Sequence, residues 1–114
     1  MKYTPLAMIV SAAALLFATM APAHAEFDAE AAQALAKKND CFKCHAIDKT
    51  KKGPSFKKIS AKYKGKPDGQ DKAIKNMTEG KKVKLEDGTE EDHKIIDTKD
   101  IKEMKNLADW ILSH

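Results

Sequence analysis

Arginine is absent from this chain, whose 21 basic residues are all lysine. That removes the planar donor fork that reads phosphates and base edges bidentately. Aromatic residues make up only 6% of the sequence, so stacking platforms for single-stranded nucleic acid are scarce as well. Seventeen acidic residues offset most of the lysines and leave a formal charge of +4. No nucleic-acid partner is expected from that balance. Cysteines number two, too few for a disulfide framework or a four-thiolate zinc site. No internal repeat or low-complexity tract divides the chain. Its 114 residues leave room for one small domain, which excludes a multidomain enzyme.

Long apolar runs are missing beyond the first 25 residues. Within those 25, Lys2 is the only charge, and the run from Leu6 to Met20 is shorter than the roughly 20 residues that span a bilayer. Ala23-His24-Ala25 follows, an A-x-A cleavage signal ahead of Glu26. Residues 1–25 therefore read as a secretory signal peptide and 26–114 as the working domain, exported and without a stable membrane anchor. Cleavage after Ala25 takes the 114 residues to 89 and the charge to +3.

A domain of that size buries too little apolar surface to be comfortably stable unaided, so a disulfide, a metal or a large prosthetic group is expected. The aid visible in the sequence is Cys41-Phe42-Lys43-Cys44-His45. C-x-x-C-H is the attachment sequence of c-type haem. Two thioethers three residues apart clamp one porphyrin edge, and the next side chain reaches the iron. Cys41 and Cys44 are thus the expected haem attachments, and His45 the expected iron ligand. The competing readings are weaker. A disulfide suits an oxidising compartment, a thioredoxin-like pair lacks its βαβ context, and half a zinc site has no second cysteine pair.

Apolar spacing predicts an all-α fold of four short helices. Asp28 caps a segment to about Lys38, with Ala31, Ala34, Leu35 and Lys38 on one face. Pro54 opens a second, in which Phe56, Ile59 and Tyr63 recur before Gly65 and Pro67 end it. A third runs from about Asp71 to Met77, with Gly80 as its stop. The last begins near Asp97 or Thr98 and carries Ile101, Met104, Leu107, Ala108 and Ile111. Between the third and fourth, Lys81 to Asp97 is a charged loop. Its Asp87-Gly88 turn signal and the alternation of Val83 and Leu85 with lysines are compatible with a small hairpin. The loop also holds His93.

Three stretches together resemble a small bacterial mono-haem class I cytochrome c. They are Lys37 to Asp48 around the cysteines, Gly53-Pro54-Ser55-Phe56, and Leu107-Ala108-Asp109-Trp110-Ile111-Leu112. The resemblance covers most of residues 26–114. It implies terminal helices crossing beside one covalent haem c, an exposed haem edge, and single-electron transfer in the periplasm. It further implies that the Pro54 carbonyl holds the other ring nitrogen of His45, and that Trp110 packs near the haem and hydrogen-bonds a propionate. A lone Trp on an amphipathic terminal helix is also an ordinary core residue.

The resemblance breaks at the sixth iron position. The family usually places a methionine in a proline-containing loop ahead of the last helix, and this loop has neither. Counting back from Trp110, the place of that methionine falls close to His93. A histidine among Glu91, Asp92 and Lys94 is ordinarily solvated, but an iron face that wants a ligand selects it. His93 is therefore the expected distal ligand, giving bis-histidine iron. Met77, Met104, His114 and an open site are the alternatives. Lys43, Lys49, Lys51, Lys52, Lys57 and Lys58 are expected around the haem edge, where they would steer redox partners with acidic docking surfaces to a monomer. Two propionates would reduce the charge to about +1. No general acid or base stands in a recognisable motif, so no catalytic residue and no enzyme activity are assigned. The expected function is a soluble single-electron carrier. The alternative is a haem protein that binds a small gas at a displaceable distal site.

Overall fold

The computed structural model describes residues 27–114. The signal segment 1–25 and its cleavage site lie outside the described residues. Five helices and one hairpin follow in order: α1 (Ala29–Lys38), α2 (Cys41–Cys44), α3 (Phe56–Tyr63), α4 (Gly69–Thr78), β1 (Lys82–Lys84), β2 (Glu90–Asp92) and α5 (Ile101–Leu112).

Asp28 caps α1 as its position predicts, its carboxylate accepting from the Ala31 N–H at 3.0 Å. The buried face of the helix differs from the expected one. Ala32 and Ala36 are inside, Leu35 is half-buried, and Ala31, Ala34 and Lys38 are exposed. In an alanine-rich helix the apolar contrast around the axis is weak, and the partner chooses the face. That partner is α5, which buries Leu107, Ala108, Trp110 and Ile111. Asn106 fixes the crossing from mid-α5: it accepts from the Asp28 N–H at 2.7 Å and donates to the Asp28 carbonyl at 2.9 Å.

α5 starts at Ile101, later than expected, because Asp100 takes the capping position and accepts from the Lys102 N–H at 2.9 Å. Ile101 is consequently left 51% exposed rather than on the buried stripe. Two side chains lash the remaining helices to α5. Ser60 of α3 donates to the Leu112 carbonyl at 2.8 Å, and Gln70 of α4 donates to Asp109 at 2.7 Å.

α3 and α4 meet at a sharp corner. A Cβ on Gly69 would lie 2.3 Å from the Tyr63 carbonyl oxygen, so the corner closes only on glycine. Because backbone cannot swing aside as a side chain can, Gly69→Ala should cost about 2 kcal/mol or more. At roughly 4–8 °C per kcal/mol for a domain of this size, thermal unfolding followed by circular dichroism should shift down by about 10 °C. An unchanged midpoint would contradict the corner.

The hairpin is real. β1 and β2 pair antiparallel with Lys82 opposite Asp92, Val83 opposite Glu91 and Lys84 opposite Glu90, so opposite charges face each other across the ribbon. Asp87 closes its turn by accepting from the Thr89 N–H at 3.0 Å and the Thr89 hydroxyl at 2.6 Å. The hairpin hands the chain to His93, whose N–H donates to the Lys81 carbonyl at 2.8 Å.

Candidate haem site

The cysteine motif forms α2, a single helical turn that periodicity could not register. Positions three apart on a helix share a face, so Cys41 and Cys44 point together, and the His45 N–H closes the turn on the Cys41 carbonyl at 3.0 Å. The thiols are not joined to each other. Burial pushes the Cys41 thiol up from its ordinary value.

After His45 the chain makes a loop laced to the same turn. The Gly53 N–H donates to the Cys44 carbonyl at 2.9 Å, and the Phe56 and Lys57 N–H groups donate to Ala46 and Ile47 at 2.9 and 3.0 Å. This lacing brings the Pro54 carbonyl to 2.6 Å from His45 Nδ1. A carbonyl only accepts, so the proton sits on Nδ1 and Nε2 keeps its lone pair. Gly53 lies flat against the ring, where a Cβ would approach Cε1 to 3.0 Å. Desolvation lowers the His45 pKa; the Pro54 bond opposes this and the neighbouring His93 adds to it. The net shift favours the neutral imidazole, the form that binds metal.

His93 stands across from this ring. Its centroid is 6.2 Å from that of His45, with 39° between the planes. Its Nδ1 faces the Lys94 carbonyl at 2.9 Å, which again leaves Nε2 as the free nitrogen. Two imidazoles binding one ion from opposite sides have centroids about 6 Å apart, since each bond is about 2 Å and each ring centre lies roughly 1 Å behind its nitrogen. Among the described residues no three His, Cys, Asp or Glu side chains converge to hold a bare ion. Two imidazoles alone suit a metal whose other donors come from a macrocycle.

The space beside these rings is a cavity of about 650 Å³ lined by Cys41, Cys44, His45, Pro54 and His93. That volume lies within the usual range for cofactor sites, about 300–1,000 Å³. Its apolar walls are Phe56, Ile59, Met77, Ile96 and Ile111, with Val83 and Leu85 contributed by the hairpin. Cavity size, paired thiols and opposed imidazoles fit a c-type haem.

Trp110 is not among the lining residues. It is buried at 4% exposure behind Phe56, with ring centroids 5.4 Å apart. Met77 lines the cavity from α4, whereas Met104 packs on the core from α5. His114 also lies behind the wall, against Trp110 at 4.8 Å and Phe56 at 6.2 Å, so the chain end is packed without entering the cavity. Lys43 and Lys52 reach the cavity, and Lys51 donates to the Phe42 carbonyl at 2.6 Å. Lys58 lies with Pro54, Ile59, Lys62 and Glu86 around a shallow neighbouring groove. Lys81, Lys84 and Lys94, which the sequence did not single out, also line the cavity.

The cytochrome c family profile matches residues 29–114. Cytochrome c-551 of Azotobacter vinelandii is 32% identical over 85 residues, which are 75% of this chain and 99% of that protein. The class 1 cytochrome MtoD of Sideroxydans lithotrophicus ES-1 superposes with a TM-score of 0.74 at 52% identity, over 77% of this chain and 97% of that one. Nitrosomonas europaea cytochrome c552 superposes at 0.55 with 31% identity, over 71% of this chain and 96% of that one.

Proposed function

Since the chain belongs to the cytochrome c family and carries one covalently attached haem c, we propose that it is an exported periplasmic electron carrier with bis-histidine iron. The haem supplies a one-electron couple when bound. Cys41 and Cys44 would hold it through thioethers, and His45 and His93 would bind its iron. Pro54 keeps the His45 ring oriented. Trp110 acts at one remove, by backing the Phe56 wall; its contact with a propionate remains an expectation of the family resemblance. The observation that supports this reading is the separation of the His45 and His93 rings, 6.2 Å between centroids, each with Nδ1 against a backbone carbonyl. The small-gas alternative gains no support from the relatives, which are cytochromes c.

Intact mass tests attachment and export together. The periplasmic protein should weigh the 89-residue chain plus one haem, retained through acid-acetone extraction. An uncleaved mass would contradict export, and a haem-free dithiol would contradict attachment.

We assign the docking of acidic redox partners to the monomer's segment 48–66. It contains eight lysines and a single acid, Asp48. Lys58 and Lys62 line the groove beside Pro54. Lysines of the distal half are more often paired with acids, as in Lys81–Glu79, Lys82–Asp92 and Lys94–Asp40. Oxidation of the reduced protein by hexacyanoferrate(III) should therefore slow as salt is added. Lys58→Glu with Lys62→Glu should slow it about tenfold at low ionic strength and weaken its salt dependence. Equal rates for variant and parent would place docking elsewhere.

A further inference from the structure

We propose that Asn39 and Asp40, the two residues ahead of the haem-attachment turn, are positioning residues that clasp His93 over the metal site. The proposal rests on the reading of His93 as distal ligand. Segment 93–97 carries that ligand and lacks regular structure. One side of it is tied by backbone: His93 N–H to the Lys81 carbonyl and Ile96 N–H to the Met77 carbonyl, both at 2.8 Å. The other side is tied by residues that leave α1 and lead into Cys41.

Asn39 is 4% exposed and uses both ends of its amide. Its oxygen accepts from the Asp97 N–H at 3.0 Å, and its nitrogen donates to the Leu35 carbonyl at 3.0 Å. The end of the ligand segment is thereby hung on α1. Lys38 reaches Asp97 as well, at 3.4 Å on the surface.

Asp40 adopts φ 58°, a left-handed conformation that Asp and Asn tolerate better than most residues. Its carboxylate takes Lys94 Nζ at 3.1 Å and Lys43 Nζ at 3.4 Å. Lys94 is the same residue whose carbonyl holds His93 Nδ1. A contact therefore runs from the residue before Cys41, through Lys94, to the distal imidazole. Both sides of the iron are referred to one short stretch of chain, so the spacing of the two ligands is set locally although they are 48 positions apart in sequence.

Cyanide binding to the ferric holoprotein reads the clasp, because the anion enters only while His93 is away and the rate follows that minor population. Asp40→Asn keeps the backbone conformation and removes the charge. Since the ion pair is exposed, it should raise the rate about threefold. Asn39→Ala removes a buried bond and should raise it about tenfold. Lys94→Met should match Asp40→Asn, and the double variant should be no faster than either. Amide exchange at Asp97 should speed up in Asn39→Ala. Asn106→Ala, which breaks the α1–α5 link instead, should lower the unfolding temperature without changing cyanide binding. If the 39 and 40 variants behave like Asn106→Ala, while His93→Ala binds cyanide freely, the clasp is overturned and distal ligation stands. If His93→Ala binds cyanide no faster than the parent, both are overturned.

Discussion

Replacing Cys41 and Cys44 together by alanine should leave a chain with no cooperative thermal transition and little helix by far-ultraviolet circular dichroism. The reason is the cavity. Without the haem, Phe56, Ile59, Met77, Ile96 and Ile111 are left facing water across a cleft of about 650 Å³, and a domain this small has little other apolar burial to hold it. The other packing is too sparse to compensate. Among the described residues the buried hydrophobic core is four alanines and six larger side chains, and of these Phe56, Met77, Ile96 and Ile111 face the cavity. What remains is the α1–α5 crossing, so residual helix, if any, should be confined to those two elements. A cooperative, helical apoprotein under native conditions would show that the haem is an addition to the core and not its centre.

The second large effect belongs to His93. In His93→Ala the iron should become high-spin or five-coordinate, and the reduced protein should bind carbon monoxide by orders of magnitude more readily than the parent. Folding should survive, because the His93 side chain is half-buried at the cavity mouth and its N–H bond to Lys81 is made by the backbone. Met77→Leu should leave the spectrum unchanged while costing some stability, as a shape change at a well-packed wall does. The potential follows the same logic. Imidazole in place of the thioether usual in the family removes a ligand that raises the potential, so the parent should sit below its methionine-ligated relatives. If Met77→Leu yields the high-spin species and His93→Ala does not, the distal assignment is wrong and the hairpin loop is only surface.

Much of this was legible from local chemistry. Asp28 as a cap, Pro54 just ahead of α3, and Asp87-Gly88 in the hairpin turn all act over three or four residues. The cysteine motif is similarly local. His93 follows from the family resemblance, by counting back from Trp110 to a loop without the usual methionine; its ring centroid lies 6.2 Å from that of His45. Other features were hidden for physical reasons. The four residues of α2 are too few to show a period. Asp97 or Thr98 reads as the start of the last helix, but the Thr98 hydroxyl accepts from the Asp100 N–H at 3.1 Å and serves the turn before it. The buried face of α1 depends on α5, some 70 residues away. The roles of Asn39 and Asp40 were hidden because their partners lie 58 and 54 positions on.

Two histidines, and no sulfur, are the proposed protein ligands of the iron. The ferric holoprotein should be examined by absorption and near-infrared magnetic circular dichroism at neutral pH. The account predicts a low-spin spectrum that lacks the weak sulfur-to-iron charge-transfer band of methionine ligation and shows the near-infrared transition of a bis-imidazole haem. A low-spin spectrum carrying the sulfur band would contradict it and move the distal ligand to Met77.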